Sequence, residues 1–242
     1  MSTFFLKIGA AIHSSWSSVI YFIGLSLGDS SRATLDPKRW AKVICRLDLY
    51  IDLNAPPAIG TGFFLNVPGA TKDVLVTAGH NLIRPPNSPG DKPQRTQQIE
   101  VRLYDSDGNP TTEKVEPSDY HIAAPYEQSQ TPGNAVHDYG IILLDRPIVD
   151  GKPKPREAFG FDIVLAAMDL QSKELGINLI AFVGGYPGIL NKTPTSEFRQ
   201  GSGTFGRHKD RQVLYHAGTD QGMSGAPIWV NYDGEEVVVG IQ

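Results

Sequence analysis

From Trp40 onward the chain alternates short apolar runs with polar, Gly- and Pro-rich breaks. AKVICRLDLYID carries apolar residues mainly at one parity and predicts a strand, and IGTGFFLNV and DVLVTAG follow at strand-and-turn spacing. The polar stretch from Arg84 to Gln98 predicts a surface loop. IEVRLYD alternates and stops at the turn DSDGN, KVEPSDYHIA reads as a further strand, and YGIILLD is a short buried run bounded by DRP. A second series follows: FDIVLAA, INLIAFVGG, SEFRQGSGTFG, RQVLYHAG, APIWVNY and EEVVVGIQ, with a hairpin turn at Asp233-Gly234 and a short helix in MDLQSKELG. Between the series lies DGKPKPREA, charged and free of large aliphatics, which reads as a linker. The expected fold is all-β, two six-stranded antiparallel β-barrels, with residues 41–150 forming the first and 151–242 the linker and the second. Residues 1–40 form a leader or helical extension.

Composition supports this picture. The chain has 242 residues, 25 of them Gly and 18 Pro, which suits many turns better than a helical bundle. Its net charge is -4, with no basic stripe, so nucleic acid is not expected as a partner. The one cysteine, Cys45, sits in the apolar run VICRL and reads as a small core residue. Before Trp40, the stretch VIYFIGLSL is too short to span a bilayer, so a membrane role is not expected. Two readings of the leader stay open: a signal peptide within residues 1–33, making the protein secreted, or an amphipathic helix on an intracellular protein.

Three runs carry candidate chemistry. In DQGMSGAP, Ser224 lies between Gly222 and Gly225, small residues that let the backbone turn so that amide N–H groups face a reacting centre. A serine hydroxyl needs a base and a site for negative charge before it becomes a nucleophile. His80 closes the β-rich run DVLVTAGH and can serve as that base. Asp138 immediately precedes the apolar run YGIILL, where a carboxylate could orient an imidazole; Asp145, at the far end of that run, is the competing carboxylate. Each run alone also fits an ordinary loop or strand end, and the combination gives the reading its weight.

The order TAGH, DYGIILL, GMSGAP resembles the chymotrypsin-like serine peptidases, from about Val43 to the end of the chain. GTGFFL resembles the family's strand before the histidine, and GGYPG (Gly184 to Gly188) is similar to the glutamyl-endopeptidase-like branch. The resemblance implies a serine endopeptidase with His80, Asp138 and Ser224 as a catalytic triad. It places the active site in the cleft between the barrels, with the Gly222 and Ser224 amides as oxyanion donors. It further implies an acyl-enzyme on Ser224, a peptide or protein substrate, and no cofactor or metal. The substrate-pocket candidates are Gly218, Thr219 and Gln242. Gly218 stands where tryptic members carry an acidic residue, Thr219 matches the glutamyl branch, and Gln242 replaces that branch's histidine. Asp220 adds a negative charge beside them, so cleavage specificity stays open, as does the oligomeric state.

The resemblance leads one to expect a substrate-pairing segment and a terminal helix beyond Gln242. Their absence from the sequence gives the expectation of a truncated chain or excised domain, with an incomplete second barrel and weak endopeptidase activity. The competing reading is a silent peptidase-like domain that acts in protein interaction. GSGTFG matches G-x-G-x-x-G but opens no helix, so a nucleotide loop is not expected. His13, His121, His137, His208 and His216 show no metal-ligand spacing, and Asn191 heads a glycosylation acceptor only in a secreted chain.

Overall fold

The computed structural model describes residues 40, 42–86, 92–104, 110–160, 180–190, 193–194, 198–209, 212–215, 217–232 and 235–242. Residues 1–39 of the leader, the FDIVLAA strand, the MDLQSKELG helix, Asn191 and the Asp233-Gly234 turn lie outside them. The strands flanking that turn pair with Tyr232 opposite Glu235.

The first half contains β1 (Ile44–Tyr50), β2 (Ala58–Leu65) and β3 (Asp73–Thr77), then the single turn α1 (Gly79–Leu82) and a small hairpin of β4 (Ile83–Arg84) and β5 (Gln94–Arg95). There follow β6 (Gln98–Tyr104), β7 (Pro110–Val115), β8 (Tyr120–Ile122), α2 (Ala124–Gln128) and β9 (Gly140–Leu144). They pair antiparallel in a seven-stranded sheet, in the order β7-β6-β1-β2-β3-β9-β8. After a hairpin of β10 (Ile148–Val149) and β11 (Lys152–Pro153) come β12 (Ile180–Gly185), β13 (Ile189–Leu190), β14 (Thr193–Pro194), β15 (Arg199–Lys209), β16 (Gln212–Tyr215), β17 (Pro227–Tyr232) and β18 (Glu235–Ile241). Their main sheet has the order β16-β15-β12-β17-β18. The expected all-β, antiparallel architecture holds, with seven and five strands in the two main sheets among the described residues. The expected strand KVEPSDYHIA is split: β7 ends at Val115, a 3-10 turn covers Pro117–Asp119, and β8 starts at Tyr120. Pro117 has no N–H to continue a ladder.

The central strands of the first sheet are buried on both faces. Leu75 and Ile142 belong to a core within the first half, together with Leu47, Phe64, Ile99 and Tyr120. Their neighbours Val74, Val76 and Ile141 point the other way, into a second core with Phe63, Phe159, Val183, Ile228 and Trp229. The two-residue period of a strand sends adjacent residues to opposite faces. Continuous apolar runs such as DVLVT and GIILL are what a doubly covered strand requires. The second core joins the two sheets through aromatic packing: Trp40 meets Trp229 at 4.3 Å between centroids, and Phe63 meets Phe159 edge-on at 5.8 Å. Side chains of this size contribute about 1.5–3 kcal/mol each on full burial.

The segment read as a linker is fastened to the first sheet. Asp150 and Gly151 both take positive φ, 51° and 73°, as a two-residue type I′ turn between β10 and β11 requires. Arg156 then pairs with Asp73 and Glu113, each at 2.8 Å. Phe159 exchanges backbone hydrogen bonds with Phe64 and Asn66. Composition shows a charged, Pro-rich stretch; it does not show that two carboxylates await its arginine. Among the described residues, no helix is long and apolar enough to cross a membrane.

Candidate active site

The first half of the site follows from one strand pairing. β3 and β9 run antiparallel with Thr77 opposite Gly140, so the chain just after β3 meets the chain just before β9. His80 lies in α1, directly after β3, and Asp138 caps the 3-10 turn Pro132–His137, directly before β9. The Asp138 carboxylate accepts twice from His80: its Oδ2 lies 2.7 Å from Nδ1, and its Oδ1 takes the backbone N–H at 2.7 Å. This grip fixes the ring and its tautomer. With Nδ1–H given to the carboxylate, Nε2 is the nitrogen left to accept a proton. Tyr126 packs beside Gly79 and Asp138. Burial first, and then the Asp138 charge, push its phenol up to about 12. Asp145 lies at the other end of β9, exposed and paired with Lys72 at 3.1 Å.

Ser224 lies in the loop that leads into β17, and this loop is pinned at nearly every peptide. Gln221 O accepts from the Gly188 amide at 2.8 Å, and Gly222 O from the Thr61 hydroxyl at 3.0 Å. Met223 O accepts from Ala226 N at 2.9 Å, and Ser224 O from both Thr61 N at 2.9 Å and the Asn81 amide group at 2.8 Å. The Met223 and Gly225 N–H groups donate to Asp220 O and Gln242 O. Among the described residues this leaves the Gly222 and Ser224 amides without a backbone acceptor. In a trans peptide C=O and N–H point in opposite directions, so the held carbonyls of Gln221 and Met223 also set where these two N–H groups point.

Both flanking glycines are required by this packing. Gly222 has φ +101°, and a Cβ there would come 2.3 Å from Gly188 N. Gly225 has φ +88°, and a Cβ there would come 2.2 Å from Thr61 O and 2.8 Å from Ala78 N. The Ser224 loop therefore rests against the end of β3, two residues from His80. Among the described residues, the Ser224 hydroxyl makes no hydrogen bond to the His80 ring, as is common before a substrate tightens such a site.

Gly218 and Thr219 line an open cleft of about 290 Å³, with Asp220, Met223 and, from β15, Arg199, Gln200 and Gly201. Gln242 instead meets the Ser224 loop through its backbone, donating to Ala226 O at 2.9 Å. The sequence reading did not single out Arg199, whose place on this cleft depends on how β15 lies. It also missed Thr61, buried within the flagged GTGFFL run, and Asn81, buried directly after TAGH; a polar residue within or beside an apolar run was the available signal. No group of three His, Cys, Asp or Glu among the described residues could hold a metal ion.

Comparison with solved structures identifies the architecture. The chain is similar to a thermostable serine protease, AL20, from an extremophilic microorganism: 16% identity, TM-score 0.50, covering 83% of this chain and 90% of that one. It is also similar to a Glu endopeptidase (15% identity, TM-score 0.47, covering 88% and 91%) and to the tobacco vein mottling virus protease (12%, 0.45, 90% and 76%). The fold is that of the chymotrypsin-like serine proteases. No family model and no curated protein sequence matches the chain.

Proposed function

We propose that this protein is a serine-type endopeptidase. Ser224 is the nucleophile: as its oxygen bonds to the scissile carbonyl carbon, its proton passes to His80 Nε2. Asp138 holds the ring and stabilises the imidazolium that forms. The carbonyl oxygen becomes an oxyanion, received by the Gly222 and Ser224 amides. When the tetrahedral adduct collapses, the C–N bond breaks and His80 gives its proton to the leaving amine. Water then attacks the acyl-Ser224 ester by the same route and frees the enzyme. The cleft beside Gly218 and Thr219 receives the side chain before the cut bond, with Arg199 and Asp220 offering opposite charges at its wall.

The observation that carries the reading is the double donation of His80 to Asp138, near a loop whose two candidate donors have no backbone acceptor among the described residues. A second reading is a silent peptidase-like module for protein interaction. Labelling with a fluorophosphonate probe separates them. The proposal expects covalent modification of the native chain that is lost in Ser224→Ala and His80→Ala. An unlabelled native protein sinks it and favours the interaction module.

A further inference from the structure

Thr61 belongs to the first sheet, yet three of the hydrogen bonds it makes outside the strand ladder go to the second half of the chain. Its hydroxyl donates to Gly222 O at 3.0 Å and accepts from Tyr186 N at 3.0 Å. Its own N–H donates to Ser224 O at 2.9 Å. Its carbonyl accepts from the Thr77 hydroxyl at 2.7 Å, and the Thr77 oxygen accepts from Asn81 at 2.9 Å. The second proton of the Asn81 amide goes to Ser224 O. Every donor in this chain finds one acceptor, and Thr61, Thr77 and Asn81 are all buried. The network spans the junction of the two sheets and ends on the two carbonyls that bracket Met223.

We infer that Thr61 is a positioning residue for the oxyanion hole, its hydroxyl locking the Gly222–Met223 peptide so that the Gly222 and Ser224 amides stay aimed at the reacting centre. This rests on the hydrolase reading above. A strand alone would hold Ser224 O through the Thr61 amide; only the hydroxyl reaches Gly222 O. Removing it takes the hydroxyl donor from the buried Gly222 carbonyl, and the peptide beside the hole can then turn to find another partner. The effect falls on the transition state, where charge sits on the oxygen, and spares the binding of uncharged substrate.

The test uses the full chain, with p-nitrophenyl acetate as substrate, phenylboronic acid as a tetrahedral mimic, and circular dichroism to fix the folded fraction. Thr61→Val is expected to slow acylation about 10- to 100-fold, less than the loss from deleting a whole donor, and to weaken phenylboronic acid inhibition by a similar factor. KM should stay within about threefold, and Thr61→Ser should recover native acylation to within about threefold, since it keeps the hydroxyl. If Thr61→Val does not accumulate folded, Thr61→Ala takes its place, with a water able to stand where the hydroxyl was and a loss of about three- to tenfold expected. Native acylation by folded Thr61→Val or Thr61→Ala overturns the inference and leaves the hydrolase reading standing. So does a fall in rate with unchanged boronate inhibition, which would mark a merely structural role. A native chain that neither labels with fluorophosphonate nor hydrolyses the ester overturns both.

Discussion

His80 and Asp138 come together through one register, whereas Ser224 is held by bonds from four separate stretches of chain. The β3–β9 pairing brings the histidine and the aspartate to one end of one sheet, and two hydrogen bonds between them finish the arrangement. The Ser224 loop draws on Thr61, Asn81, Gly188 and Gln242. The difference teaches where each half is vulnerable. The proposed base and its partner depend on local chemistry; the proposed nucleophile and its candidate donors depend on how the two sheets meet.

The sharpest way to break this comparison is Asp138→Asn. It should cut the proposed ester hydrolysis by about 10⁴-fold, because the amide no longer selects the tautomer with a free Nε2. Stability should change little, since the carboxylate is partly exposed. A large fall in the urea midpoint would show that the pair also holds the sheet end together. Arg156→Ala tests the opposite case. It removes one of the two arginines that pair with buried Asp73, leaving Arg146 at 3.5 Å, and takes the arginine from Glu113, on the first sheet and away from the candidate site. A loss of about 2–4 kcal/mol is expected in urea unfolding, with an unchanged labelling rate per folded molecule. A slowed rate in the folded fraction would mean that the site feels that edge of the sheet.

The smallest effect is alkaline. Burial holds the Cys45 thiol up at about 12, from an ordinary 9.0, and burial with the Asp138 charge holds the Tyr126 phenol at about 12, from 10.0. The folded state keeps both protons where the unfolded chain has released them. Their stabilisation is therefore complete below about pH 9 and is lost as pH climbs toward about 12. Urea midpoints should fall across that window, less steeply in Cys45→Ala from its lower end and in Tyr126→Phe from about pH 10. Parallel curves for native protein and both variants would contradict these assignments.

The sequence by itself determined the all-β texture, because a two-residue period and frequent turn residues are local properties. It singled out His80, Asp138 and Ser224 because their residue types end or begin short apolar runs, and it set Asp138 before β9 and His80 after β3. It could not show that DGKPKPREA is strapped down: the Asp150-Gly151 turn was readable, but the carboxylates that take Arg156 lie far off in the chain. Only the tertiary structure decided that Thr61 and Asn81 reach the Ser224 loop, that Arg199 borders the cleft, and that the Gln242 backbone bonds to the Ser224 loop. Those contacts join residues that no periodicity relates, and their geometry is set by the packing of one sheet on the other around Phe63, Phe159 and Trp229.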